Sequence, residues 1–364
     1  MRVVFAPDKF AGTLSAVEAA SAMATGWARR APGDELVQVP MSDGGPGFID
    51  VLHAALGGEL DVLTVTDPYG QPIPAAVLLA GDTAYVEGAQ AVGLHLTDVA
   101  DRRPEHATTR GLGQLLAHAL DSGANRVVLG LGGSATNDAG AGMLAALGAT
   151  CTAGALDEGP AGLSTVTSVA LDAARSRVEG VELVLASDVD NPLLGINGTT
   201  KIHGPGKGLR EERLVTVDGW LQRFAETTDR KLASQKGAGA AGGAGFALML
   251  LGGTRSPGVS VVAEAVGLEE RLQGADLVVT GEGAFDFSSR SGKVPYGVAE
   301  IAAQHLVPCI ALAGQVLVGS REMRALGVES AYSLVELVGE QRALGAPAEA
   351  LAELATRTAR TWSR

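Results

Sequence analysis

The sequence predicts an α/β protein of two domains. One is a discontinuous parallel-sheet domain assembled from both ends of the chain; the other is a mixed-sheet α/β domain inserted into it. Three observations carry this reading. Short apolar runs that end in Gly- or Asp-containing loops and lead into helical stretches occupy residues 3–56, and the same texture returns from about residue 275. Between them, residues 59–89 show β-branched alternation broken by Asp-Pro-Tyr-Gly and Gly-Asp, the pattern of an antiparallel meander. Further strand–loop–helix units follow that meander. The boundaries drawn are 1–56 with 266–364 for the discontinuous domain and 57–265 for the insert.

Taken in order, Val3-Val4-Phe5-Ala6 is a buried strand stopped by Pro7-Asp8. Ser15 with Glu18 forms a capping box, and the Ala-rich helix that it opens runs to Arg30, ahead of Pro32. Leu36 to Val39 is the second strand, and a helix is expected over 47–56. After the meander come a helix over 108–121, a strand over 126–131, a helix over 138–147 and a strand over 181–190. ADLVVTGEG, VPCIALAGQ and ESAYSLVEL supply three more buried strands, and 347–361 reads as a surface helix.

Composition narrows the function classes. The chain has 364 residues, 46% hydrophobic and 19% charged, which is globular rather than disordered. Its 50 glycines, about twice the usual share, have no collagen period and gather in loops between periodic segments. A net charge of −13 with no basic patch argues against nucleic acid and anionic membrane as partners. No apolar run approaches the ~18 residues of a membrane span, and the N-terminus lacks a signal-peptide core, so a cytoplasmic protein is expected. Cys151 and Cys309 stand far apart in apolar runs, which suits core packing and gives no zinc spacing.

The chemistry sits in the loops. VVLGLGGSATNDAGAGM, beginning at residue 127, matches Gly130-x-Gly132-x-x-Ala135 after a strand. A dinucleotide site needs an acid about 20 residues on, and 149–153 read Ala-Thr-Cys-Thr-Ala, so an NAD-dependent dehydrogenase is kept only as an alternative from another class. Gly132 and Gly133 can turn backbone N–H groups toward an anion, with Ser134, Thr136 and Asn137 as further donors. The plainer reading is a glycine-rich helix cap with Thr136 or Asp138 as its N-cap. Asp188 and Asp190 are two apart at a strand end, which in an extended chain puts both carboxylates on one side and suits a metal ion or a general base; the plainer reading is an Asp-Asn-Pro turn. Glu282, Asp286 and Lys293 follow another strand. Asp8-Lys9, Asp43 with Gly44-Gly45, and the 237–248 Gly/Ala run complete the set. Asp, Gly, Ser/Thr and Lys together at strand ends are what phosphoryl transfer uses.

APDKFAGTLSA, MSDGGPG, ATTRGLGQL, GLGGSATNDAGAGMLAALG, SDVDNPLLG, GPGKG, GAGAAGGAGFAL, TGEGAFD–GKVP and ALAGQV, in this order, resemble the successive motifs of bacterial glycerate kinases of the glycerate 2-kinase type. The resemblance spans essentially the whole chain. It implies phosphorylation of D-glycerate by ATP with Mg2+, at the 2-hydroxyl and with 3-phosphorylation or a related hydroxy acid as the alternative. It also implies a flavodoxin-like domain split by the insertion. Family members usually carry Phe-Lys-Gly where this chain has Phe10-Ala11-Gly12, with Lys9 one position away. They usually carry Gln-Ser or Gln-Thr where it has Phe287-Ser288-Ser289.

On that reading the expected nucleotide contacts are Gly132, Gly133, Ser134, Thr136, Asn137, Asp138, Gly242, Gly243, Gly281, Glu282 and Gly283. The expected substrate contacts are Asp8, Lys9, Asp43, Gly44, Gly45, Arg110, Asn191 and Asp286. Asp188 and Asp190 are expected to act as base and Mg2+ ligand, and Lys293 as a catalytic cation, with Lys201 and Lys207 as further anion partners. Which Gly-rich loop takes ATP is left open. The site is expected in a cleft between the domains, and a homodimer is the assembly that the reading allows.

Overall fold

Five parallel strands form the sheet of the first unit, in the spatial order Glu35–Gln38, Arg2–Phe5, Leu277–Thr280, Cys309–Ala313, Val328–Ser333. In chain order this is 2-1-3-4-5, the flavodoxin-like arrangement. The computed structural model describes residues 1–286 and 293–363. This unit comprises Met1–Asp43, Asp50–Gly57 and Pro257–Arg364.

The helix Ala16–Arg30 begins where the sequence places it. Ser15 Oγ accepts from the Glu18 N–H and the Glu18 carboxylate accepts from the Ser15 N–H, so two otherwise orphaned donors are satisfied. Its Met23 and Trp27 are fully buried in one cluster with Val3, Phe5, Leu277 and Val279. The helix Pro347–Trp362 joins the same cluster through Leu351, Leu354 and Ala355, so this tail is amphipathic and half in the core.

The second unit comprises Gly44–Ile49 and Gly58–Ser256. Its sheet runs Glu59–Thr66, Pro72–Ala80, Thr83–Glu87, Arg126–Gly130, Glu182–Ala186, Thr254–Ser256. The first three strands are the antiparallel meander, and the last three continue parallel to Thr83–Glu87. Leu112, Leu116, Val127, Leu129 and Phe246 are among its fully buried core residues.

Two elements differ from the sequence reading. The helix expected over 138–147 is only Ala141–Ala146, preceded by Gly140 in the left-handed region (φ +73°). The strand expected over 181–190 ends at Ala186. Ser187 N–H still donates to Ser256 O of the neighbouring parallel strand at 3.1 Å, and past that bond Ser187 Oγ accepts from Val189 N–H. A short polar side chain offers the backbone a local alternative to the ladder. Among the described residues no helix is long and apolar enough to cross a membrane.

Candidate active site

In an open parallel sheet, ligands bind beyond the carboxyl ends of the strands where the strand order reverses. In the first unit that place lies between Arg2–Phe5 and Leu277–Thr280, and the loops leaving those two strands carry Asp8-Lys9 and Gly281-Glu282-Gly283. The loops are tied together, since Asp8 N–H donates to Gly281 O at 2.8 Å. Lys9 Nζ lies 3.6 Å from Asp8 Oδ1 and 3.9 Å from Asp43 Oδ1. Lys293 Nζ lies 3.7 Å from Glu282 Oε2 and 3.8 Å from Asp286 Oδ1. Asp8 and Glu282 are buried. Among the described residues, two lysines thus stand beside these four carboxylates.

Burial pushes the Asp8 carboxyl up to about 7, against the opposing pull of Lys9, and the neighbouring charges of Asp43 and Glu282 add to the rise. A carboxylate that titrates near neutrality is a competent general base. Ala11 is exposed and borders a separate, mostly apolar pocket of about 270 Å³ with Phe10, Gly283, Gln315 and Leu334.

In the second unit the two Gly-rich stretches that the sequence offers as alternatives form one structure. Ala139 N–H donates to Gly242 O at 3.0 Å and Thr136 Oγ1 donates to Ala241 O. A Cβ on Gly242 would lie 1.8 Å from Thr136 O, so the two loops pack backbone on backbone. Gly44 and Gly45 serve the same purpose on the other side: Gly132 N–H donates to Gly44 O at 3.1 Å, and a Cβ on Gly132 would meet Gly45 Cα at 2.5 Å. Gly130 and Gly132, the residues of the dinucleotide-like spacing, are therefore explained by packing against 44–45. Together the loops border a pocket of about 250 Å³ whose lining includes Gly133, Ser134, Val189, His203, Lys207 and Gly242.

Lys207 is buried at this pocket. Its Nζ donates to Thr136 O at 2.6 Å and to Ser134 Oγ at 3.1 Å. Burial pulls its ammonium down to about 8, partly opposed by Asp138. Burial and the Lys207 charge together lower the pKa of His203. Asn137, also buried, donates to Thr200 Oγ1, and its own Oδ1 has no hydrogen-bond partner among the described residues.

Other expected residues are engaged within the protein. Asp138 is fully buried and accepts from Thr109 N–H and Oγ1 and from the Gly140 and Gly142 N–H groups, so it holds the turn and the start of the short helix. Arg110 pairs with Asp157 at 2.6 Å. Asn191 joins His203 to the Asn197 carbonyl. Asp190 is more than half exposed and lies 2.7 Å from Arg255 and 3.4 Å from Lys236. Asp188 lies beyond the end of the strand, so the same-side geometry of an extended chain does not apply to the pair. Gly243 belongs to the 240–243 turn, with φ +102°. Ser288, Ser289 and Phe287 lie outside the described residues.

Glu87 was not singled out from sequence. It is buried and accepts from the Gly47 and Ile49 N–H groups, which fixes the segment that packs on Gly132. An acid at the end of a parallel strand was the available signal.

The residues do not present a ready-made magnesium site. Among the described residues no group of three or more His, Cys, Asp or Glu is placed to hold a metal ion. Asp190 is already neutralised by two cations. Magnesium commonly binds through substrate phosphates and water with one or two carboxylates, so the ion that a nucleotide carries needs no dedicated cage.

An acidic strand-end cluster and a buried-lysine pocket on Gly-rich loops are the kinds of group that phosphotransferases use. The model of the glycerate kinase family matches residues 3–363. The chain is 41% identical to glycerate kinase of Bacillus subtilis (strain 168) over 345 residues, covering 92% of this chain and 90% of the relative. It is 39% identical to glycerate 2-kinase of Escherichia coli (strain K12), with 93% and 92% covered. A crystal structure provisionally assigned as glycerate kinase 2 from Salmonella typhimurium LT2 superimposes with a TM-score of 0.84 at 36% identity, covering 99% of this chain and 98% of that one. The chain belongs to the glycerate kinase family and is a kinase.

Proposed function

We propose that this kinase transfers the γ-phosphoryl group of ATP to the 2-hydroxyl of D-glycerate, giving 2-phosphoglycerate and ADP. The family match and the relative named glycerate 2-kinase support the substrate and the position. The observation that carries the mechanism is Asp8, buried at the strand-order reversal and titrating near neutrality. In the transfer, Asp8 accepts the proton of the acceptor hydroxyl. That oxygen forms its bond to the γ-phosphorus, and the bond to the β,γ-bridging oxygen breaks with its electron pair leaving on ADP. Lys9 and Lys293 offset the charge of the acceptor carboxylate and the moving phosphoryl group. Orientation and charge stabilisation are the main demands of this chemistry. When bound with ATP, Mg2+ supplies charge neutralisation on the phosphates.

The nucleotide is assigned to the second unit, at Gly133 to Asn137 and Gly242-Gly243. The acceptor is assigned to Asp8, Lys9, Asp43, Glu282 and Asp286 in the first. Asp8 is preferred to Asp190 as the base because Asp190 is more than half exposed and held in two ion pairs. The enzyme is placed in the cytoplasm, where ATP is supplied, and a homodimer is checked by light scattering.

The test is incubation with ATP, Mg2+ and D-glycerate followed by ³¹P NMR of the products. A 2-phosphoglycerate resonance is the expected result. A 3-phosphoglycerate resonance moves the reacting hydroxyl, and no phosphorylated acid from folded protein removes D-glycerate as the substrate.

A further inference from the structure

A buried ammonium is costly unless it is paired and hydrogen-bonded. Lys207 is only 8% exposed, and its two partners, Thr136 O and Ser134 Oγ, are neutral. No carboxylate lies within ion-pair distance of it among the described residues. Asp138, the acid that acts on it from further away, has both oxygens engaged with Thr109, Gly140 and Gly142. An ammonium has three donors. Two are spent on the 134–136 turn, which leaves one N–H for the pocket that Lys207 lines with Gly133 and Ser134.

Local structure fixes the side chain in place. Pro205–Lys207 is a single 3-10 turn, closed by Lys207 N–H donating to Gly204 O at 3.0 Å and followed by Gly208 in the left-handed region (φ +95°). A long cation is thereby held against the Gly-rich loop rather than left to solvent.

We propose that Lys207 is the nucleotide's phosphate anchor: its Nζ donates to a phosphate oxygen of ATP or ADP while the 134–136 turn holds the ammonium from behind. The inference rests on the reading of the chain as an ATP-dependent kinase, and it names the residue that tells a nucleotide from its nucleoside. The positive charge supplies a counter-ion that neither Ser134 nor Thr136 can provide. Hydrogen bonds to charged groups contribute about 1.5–3 kcal/mol, or roughly 10- to 100-fold in affinity.

Proton linkage adds a second signature. With its pKa near 8, Lys207 is partly neutral at pH 8.5 in the free protein, and a bound phosphate recharges it. The other ionisable groups around it do not supply that proton. His203 has a lowered pKa and is neutral at this pH, and the Arg102 guanidinium donates to the Leu94 and Thr97 carbonyls. The carboxyl of Asp138 is buried within its own hydrogen bonds, and Asp188 and Asp190 flank Val189 of the lining.

The test is calorimetric titration of the intact protein with ATP and with adenosine, in the absence of glycerate. Lys207→Met is expected to weaken ATP by about 10-fold or more and adenosine by less than about twofold. Equal losses for both ligands would mean a structural role, and unchanged ATP affinity would mean no contact; either overturns the proposal. A wild-type protein that binds no ATP sinks the kinase reading itself, whereas a variant that binds ATP normally sinks only the anchor. If Lys207→Met does not fold, wild-type protein is titrated with ADP at pH 8.5 in two buffers of different ionisation heat. Net proton uptake is expected there, and Lys207→Gln, titrated with ADP and adenosine, decides the anchor by the same outcomes as Lys207→Met.

Discussion

Gly132 and Gly45 meet so closely that a Cβ on Gly132 would lie 2.5 Å from the Gly45 Cα. The glycines that end the Arg126–Gly130 strand region are there for this backbone contact, and the polar residues after them are then free to face the pocket. Gly132→Ala should therefore destabilise the fold by roughly 1–3 kcal/mol, because the atom in its way is backbone. Gly219→Ala is the control: it lies exposed within the helix Leu214–Glu226 with nothing within 4 Å of the added carbon, and should stabilise by about 0.5–1 kcal/mol. Urea denaturation measures both, and equal effects would discard the packing explanation.

Asp8→Asn should reduce turnover by about 10²-fold or more while leaving the protein folded, if Asp8 is the base. In wild type the rate should rise with pH through about 7 as Asp8 loses its proton. Stability runs the opposite way. The native state holds a proton that the unfolded chain has released above its ordinary value of 3.8, so stability falls as pH rises from about 4 to about 7 and levels off beyond. Asp8→Asn should remove this contribution. Melting temperatures across pH 5 to 8 that fall by the same amount in variant and wild type would assign the dependence to another group.

Asp190→Asn should cost less than about tenfold in kcat/KM. Its carboxylate is more than half exposed and paired with Arg255 and Lys236, an arrangement of about 1 kcal/mol or less. Steady-state kinetics decide between the two acids: a hundredfold loss here, beside a mild effect at Asp8, would return the base to the 188–190 segment.

Thr109→Val should destabilise by about 1–3 kcal/mol. The hydroxyl donates to Asp138 and accepts from Met143 N–H, and valine leaves that buried N–H without a partner. Thr109→Ser, which keeps the oxygen, should recover most of the loss in thermal unfolding. If serine is as damaging as valine, packing of the methyl group rather than the hydrogen bonds is responsible.

The sequence by itself determined the classes of element and the fold class. Apolar runs such as Val3–Ala6 and Leu277–Thr280 have no choice but a buried strand, and Ser15 with Glu18 marks its helix start within four residues. These are local signals, carried by neighbours along the chain. It also placed Asp8, Lys9, Glu282, Asp286 and Lys293 at strand ends. What it left unresolved were relations between distant segments. The same-side argument for Asp188 and Asp190 assumed a strand running on to residue 190, whereas the strand ends at Ala186. The two Gly-rich loops, more than 100 residues apart, read as rivals until their backbones are seen to pack on each other. Lys207 was one lysine among several until burial against Thr136 and Ser134 set it apart. Burial, close backbone approach and the pKa shifts that follow depend on what the fold brings alongside a residue, so only the tertiary structure could decide them.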